Sequence, residues 1–282
     1  MSRGRLFRVL WHSISVLLLM SLLILFWGSV KECTSRSYLQ GFVDSVVPLA
    51  GTPQQKAEAI MAWMCNPPVR LPSPLSAAAE SYRDPVRILS YTELLEDCGT
   101  SASVLIGAVG RLGMKSRRLL LLGEQNEAVH VTTELLIDGR WVVADAAFHT
   151  FMRDAHGRLL TKEDLRVPQT FQEATRDIPG YDPTYRFDRT AHVRIERIPL
   201  LGRLFRKGLD RVDPDWDDSP FLSQVVSRYS LAQVVLSLPL LIFCIVARFV
   251  LSWYGAARWG IRRVRLRDRL ARATKAFFPS SA

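Results

Sequence analysis

The chain has 282 residues, is 48% hydrophobic and carries a formal net charge of +10, enough for one substantial domain plus extensions. The charge is uneven: residues 1–8 hold +3 and residues 248–282 hold +8, which leaves the middle at −1. Basicity confined to the two ends, beside apolar segments, argues against nucleic acid as a partner and points to the lipid bilayer.

Residues 1–8 read as a short cytoplasmic N-terminus. Val9 to Val30 follows with no Asp, Glu, Lys or Arg. A bilayer span needs roughly 20 apolar residues. A cleaved signal peptide has a shorter apolar core of ~7–15 residues and small residues at its cleavage site. Val30-Lys31-Glu32-Cys33 offers neither a cleavage pattern nor a lipoprotein signal, so residues 9–30 are expected to be an uncleaved transmembrane helix. His12 lies at its start.

Residues 31–168 are expected to form the folded domain. Thr52-Pro53-Gln54-Gln55 is a capping box with proline at the first helical position. Ala57, Ile60, Met61 and Met64 then recur at helical spacing. Asn66-Pro67-Pro68 ends that helix, and a proline-punctuated loop runs through Pro85. Asp97 is a good N-cap for a second helix, whose buried stripe is Ala102, Leu105, Ile106 and Val109, with Gly113 at its C-terminal end. Gly107, Gly110 and Gly113 do not make a phosphate loop, because the strand-loop-helix context is missing. Strands are predicted over Arg117–Leu122, Ala128–Ile137 and Arg140–Asp145, the last two joined by the two-residue turn Asp138-Gly139. A second hairpin centres on Asp154–Gly157, and a short helix starts at Thr161 with Asp164 at the capping-box position. Helices followed by antiparallel strands make the fold class α+β.

Residues 169–230 read as a membrane-proximal extension, in which Arg194, Arg197, Arg203 and Arg206 interleave with Ile195, Ile198, Leu200, Leu201, Leu204 and Phe205. That pattern suits a solvated face, the outer membrane surface, or a cover over a cleft. Residues 231–254 form a second transmembrane helix. Pro239 sits inside it, Arg248 is placed to snorkel, and Trp253, Tyr254 and Trp259 suit an interfacial belt. The basic tail 255–282, amphipathic up to Lys275, is expected along the cytoplasmic leaflet. Positive ends stay cytoplasmic. The chain is therefore expected to cross an inner membrane twice, with the domain periplasmic in a bacterium. Cys244 then lies in a membrane helix. Cys33 and Cys65 are available for a disulfide, though spacing leaves the pairing open. Cys98 is left as a candidate reactive thiol.

Three residues converge. Cys98, in the first turn of its helix, faces amide hydrogens and the positive dipole end, which favour the thiolate that acyl transfer needs. With Asp138-Gly139 as the turn, Ile137 pairs with Arg140 and Thr132 lies opposite Asp145. His130 and Asp145 then share one face as diagonal neighbours, ~7–8 Å apart between backbones, within reach of each other's side chains. A slip of one residue would separate them. An aspartate on one ring nitrogen fixes the tautomer and leaves the other nitrogen for the thiol. The Cys98 backbone N–H is the natural first oxyanion donor, and Tyr91 is a candidate for the second. His149 and His156 lack a third ligand of suitable spacing, so no metal is assigned.

Asp97-Cys98-Gly99-Thr100-Ser101-Ala102, Leu112-Gly113-Met114-Lys115-Ser116-Arg117, Val129-His130-Val131-Thr132-Thr133-Glu134 and Asp138-Gly139-Arg140-Trp141-Val142-Val143-Ala144-Asp145 together resemble the transglutaminase-like superfamily, in a bacterial membrane-anchored form. The resemblance covers roughly residues 52–165. It implies a papain-like core with Cys98 as nucleophile, His130 as base and Asp145 as orienting acid, and no cofactor. Glu96 stands where many members have Gly, and Ala146 where many have Pro or Thr. The implied activity is hydrolysis, of the peptidase or amidase kind, or acyl transfer at an amide or ester carbonyl through a thioacyl intermediate, with a peptide or amide-containing substrate and other cell-envelope proteins as partners. The alternative is an inactive domain of the same fold serving as a binding or scaffold module. A membrane-bound sensor would need cytoplasmic output machinery, which the short tail does not provide.

Overall fold

A computed structural model of the chain describes residues 3–66, 83–194 and 202–260. The proline loop over 67–82, residues 195–201 of the arginine pattern and the tail beyond residue 260 lie outside the described residues. So do the side chains of Arg203, Leu204 and Phe205.

The elements are α1 (Arg3–Val46), α2 (Pro53–Cys65), α3 (Pro85–Ser90), α4 (Thr92–Glu96), α5 (Cys98–Arg111), β1 (Ser116–Leu122), β2 (Ala128–Ile137), β3 (Arg140–Asp145), β4 (Thr150–Phe151), α6 (Lys162–Leu165), α7 (Pro168–Thr175), β5 (Thr190–Ala191), α8 (Gly202–Val212), α9 (Pro220–Ser227) and α10 (Tyr229–Trp259). A 3-10 turn, Trp216–Asp218, precedes α9. The architecture is α+β, with a long apolar helix near each end of the chain. Contacts divide it into two compact units, Gly28–Ala232 and the terminal segments Met1–Trp27 with Gln233–Ala282.

In the unit Gly28–Ala232, local chemistry sets each element that carries the site. Thr52 caps α2 in the expected capping box. The Asp97 carboxylate accepts from the Gly99 and Thr100 amides and so starts α5 at Cys98. Gly113, at φ +74°, takes the left-handed conformation that ends α5. Asp138 and Gly139, at φ +49° and +77°, form the two-residue turn between β2 and β3. The register follows: Ile137 pairs with Arg140, Glu134 with Val143 and Thr133 with Ala144.

The antiparallel sheet runs β4-β3-β2-β1-β5. On one face Leu135, Ile137, Val142 and Ala144 pack with Val104, Leu105, Ala108 and Val109 of α5, together with α2 and α3 residues such as Ile60 and Ile88. On the other face Leu119, Leu121 and Val143 pack with Met152, Leu165, Phe171, Tyr181 and Phe187. Strand β2 is therefore buried on both sides, and even its Thr132, Thr133 and Glu134 are fully enclosed. The stretch 169–230, expected as an extension, contributes β5 to the sheet edge and α7, Tyr181 and Phe187 to this second layer. No break at residue 168 separates it from the rest of the core.

Helix α1 does not stop at Val30. It continues to Val46, because Leu39 and Val43 bury completely against the core of the Gly28–Ala232 unit. Cys33 and Cys65 are free and exposed rather than bridged.

In the terminal unit, α1 and α10 are both long and apolar enough to cross a membrane. They expose large apolar side chains such as Leu23, Phe26, Leu236 and Phe243, as a lipid-facing surface would. Phe7 lies against Gly255, where a Cβ would come within 2.5 Å of the ring. Arg248 donates to Ser15 Oγ at 2.7 Å and stacks over the Trp11 ring at 4.2 Å.

Candidate functional site

Cys98 is the first residue of α5 and is partly exposed. Below it the helix start is tied down. The Thr100 hydroxyl donates to the Leu94 carbonyl, and Ser101 N donates to the Asp97 carbonyl at 2.9 Å. The Cys98 amide, by contrast, makes no hydrogen bond among the described residues.

His130 lies near the start of β2 and Asp145 at the end of β3, on the face the register placed them. His130 Nε2 meets Asp145 Oδ2 at 2.6 Å, and both side chains are buried. Cys98 lies close enough to the ring to help raise its pKa. With Nε2 held by the carboxylate, Nδ1 is the nitrogen left for the thiol. The structure thus brings Cys98, His130 and Asp145 together. Burial by itself would push the imidazole pKa down. The hydrogen bonds and charges of Asp145 and Cys98 outweigh it and raise the pKa from 6.5 to about 9.

Asp145 is satisfied from every side. Its Oδ1 accepts from the Ala147 and Phe148 amides at 3.2 and 3.4 Å, and its Oδ2 accepts from the Tyr181 hydroxyl at 3.2 Å. Burial pushes the Tyr181 phenol well above its ordinary value, and the neighbouring carboxylate adds to that. It stays a neutral donor. Tyr185 stacks on the His130 ring at 4.6 Å with an interplanar angle of 9°, while Phe148 and Tyr181 close its other sides at 5.9 and 6.0 Å. These rings keep water away from the histidine–carboxylate bond.

Arg118 of β1 reaches the helix start from below. Its guanidinium donates to the Gly99 carbonyl at 3.0 Å and to the Ser103 hydroxyl. Burial lowers its pKa to about 10, Arg83 pushes the same way, and Cys98 and Asp97 oppose. It remains a cation at neutral pH and a fixed positive charge beside the thiol.

A cavity of about 760 Å³ opens against the outer side of Tyr185, lined also by Val129, Glu124, Asp182, Arg186 and Arg189. Among the described residues no three His, Cys, Asp or Glu side chains come together in a way that could hold a metal ion. Tyr91, considered as an oxyanion donor, packs against the core beside α5.

Cys98, His130 and Asp145 are the residues that the sequence singled out. It missed Phe148, Tyr181, Tyr185 and Arg118. The Tyr181/Tyr185 pair, four residues apart around Asp182-Pro183-Thr184, was the available signal. Comparison with family models, curated proteins and solved structures gave no match to this chain.

Proposed function

We propose that the Gly28–Ala232 unit is a membrane-anchored thiol enzyme of the transglutaminase-like kind, with a papain-like arrangement of Cys98, His130 and Asp145. The observation that carries this reading is the buried His130–Asp145 pair, at 2.6 Å, with the helix-start thiol of Cys98 close enough to act on the ring. The raised imidazole pKa favours an imidazolium beside Cys98, the partner that stabilises a thiolate. The thiolate attacks the carbonyl carbon of an amide or ester. The Cys98 amide, at the positive end of α5, donates to the oxyanion. The imidazolium passes its proton to the leaving amine or alcohol as the C–N or C–O bond breaks, leaving a thioester on Cys98. Water or an amine then attacks the thioester, gives its proton to the ring, and releases an acid or a new amide with the thiol restored.

Substrates enter from the cavity beside Tyr185, whose carboxylates and guanidiniums suit the mixed charges of a peptide. Two apolar helices with basic residues at the chain ends support a position outside the cytoplasm, in the periplasm of a bacterium and facing cell-envelope peptides. Both claims have direct tests. Alkylation of Cys98 by iodoacetamide is expected to be much faster than for an ordinary thiol and to slow in His130→Ala; an ordinary rate unaffected by that change would end the enzyme reading. A reporter fused after Ala282 is expected to sit in the cytoplasm, and an external signal there would end the two-span topology.

A further inference from the structure

A knot of charge lies where α1 leaves its apolar stretch and α10 begins its own. Glu32 Oε1 meets Arg36 Nε at 2.6 Å and Arg228 Nη2 at 2.7 Å, while Oε2 accepts from the Ser230 hydroxyl at 2.8 Å. Arg228 is 1% exposed. Its Nε and Nη1, and Nε of Arg111, are buried with no hydrogen-bond partner among the described residues. The Ser35 hydroxyl is in the same state. Arg228 feels Arg36 and Arg111 as repelling neighbours, with Glu32 as the attracting one. Arg36 and Arg228 therefore share the Glu32 carboxylate, and Arg111 adds a third guanidinium close enough to repel Arg228.

Such an arrangement is expensive by itself. A buried guanidinium with N–H groups unpaired is strongly unfavourable, as any uncompensated buried ion is. Glu32 has no further oxygen to give. An added anion would supply both the charge and the acceptors, and phosphate oxygens match the guanidinium fork well. The Arg36 side chain is 47% exposed, and Arg111 is half-buried at the end of α5 with no ion-pair partner among the described residues.

The position narrows the source of that anion. Glu32 and Arg36 follow the apolar run 9–30 within two turns of helix, and Arg228 and Ser230 immediately precede the run 231–254. At ~1.5 Å of rise per residue this is the depth at which lipid headgroups meet water. We propose that Arg36 and Arg111, over the buried Arg228, bind a phosphate-bearing anion, and that its source is the headgroup of an anionic membrane lipid. The site is separate from Cys98 and does not depend on it being a nucleophile.

The test uses the full chain in detergent micelles. Native mass spectrometry follows retention of phosphatidylglycerol and of diacylglycerol, which lacks the phosphate, and a parallel titration uses inorganic phosphate. Phosphatidylglycerol is expected to be retained and diacylglycerol not. Arg111→Gln and Arg36→Gln are each expected to weaken retention about tenfold, the loss of one charge-assisted hydrogen bond. Both variants are expected to keep the wild-type Tm in lipid-free micelles, which separates loss of binding from loss of fold. Saturable binding of inorganic phosphate without lipid retention, lost in the same variants, would support the anion site and move its source to the soluble phase. Equal retention of diacylglycerol, or equal binding by wild type and both variants, would overturn the proposal.

Discussion

Two buried histidine–carboxylate pairs hang on β2, and they are nearly alike as pairs. His130 meets Asp145 at 2.6 Å and His192 meets Glu134 at 2.7 Å, through Nε2 in both cases. Both histidines are 4% exposed and both carboxylates fully enclosed. They differ at the other ring nitrogen. His192 Nδ1 is clamped by Asp218 at 2.6 Å. Arg117, stacked over Trp141, ties Glu134 and Asp218 together at 2.7 and 3.0 Å. That ring is held by carboxylates on both sides and has no nitrogen to offer. The other nitrogen of His130 has a thiol for its neighbour. A buried His–carboxylate pair is thus not a functional signature by itself; what faces the second nitrogen sets the two pairs apart.

The comparison breaks most visibly in a pair of histidine deletions. His130→Ala is expected to slow Cys98 alkylation and any turnover by ~10²–10⁴-fold, the usual weight of a positioned acid–base. His192→Ala should leave that rate near wild type. Equal losses would mean that the two pairs do the same job. The converse holds for stability. Arg117→Met strips a buried cation from Glu134 and is expected to cost about 3–5 kcal/mol in a denaturant titration, with the thiol rate of the folded fraction unchanged.

These pairs also show what was legible in the sequence and what was not. His130 and Asp145 were legible because a two-residue turn fixes register, and register fixes faces. The start of α5 was legible because Asp97 caps it through local hydrogen bonds. Tyr181, Tyr185 and His192 were not, since no local pattern forecasts that the segment after α7 folds back over the sheet. Its ordering comes from long-range packing of Phe171, Tyr181 and Phe187 onto Leu119 and Leu121. Arg118 was hidden for a similar reason: alternation along β1 tells which face it takes, but not that the α5 N-terminus lies beneath. The length of α1 was misjudged because apolar continuity marks where a membrane stretch ends, not where a helix does.

The two pairs should fail at opposite ends of the pH scale. The His130 pKa is raised, so its contribution to stability is complete below its ordinary 6.5 and is lost as pH rises through about 9. Turnover that needs the imidazolium as acid should fall over the same alkaline limb. Glu134 goes the other way. Burial would raise its pKa, but His192 and Arg117 together hold it below the ordinary 4.5. Its contribution is complete above that value and lost as pH falls below it. Tm measured against pH is therefore expected to lose its alkaline decline in His130→Ala and part of its acid decline in Glu134→Gln. An exchange of those two effects would show the assignments to be reversed.

The smallest effect is the most discriminating one, because it adjusts the His130 pair without removing it. Tyr181 donates to Asp145 Oδ2, the same oxygen that His130 uses. Tyr181→Phe is expected to cost about 1 kcal/mol, one hydrogen bond, in a denaturant titration. It also frees that oxygen to interact with the imidazolium alone. The ring should then hold its proton more tightly, and the alkaline limb of thiol reactivity should move above its wild-type position near pH 9. Tyr185→Phe keeps the stacked ring and touches no hydrogen bond of Asp145, so its limb should stay in place. A downward move in Tyr181→Phe would mean that the phenol supports the ion pair rather than competing with it. No move at all would leave Tyr181 as packing around a carboxylate already satisfied by the Ala147 and Phe148 amides.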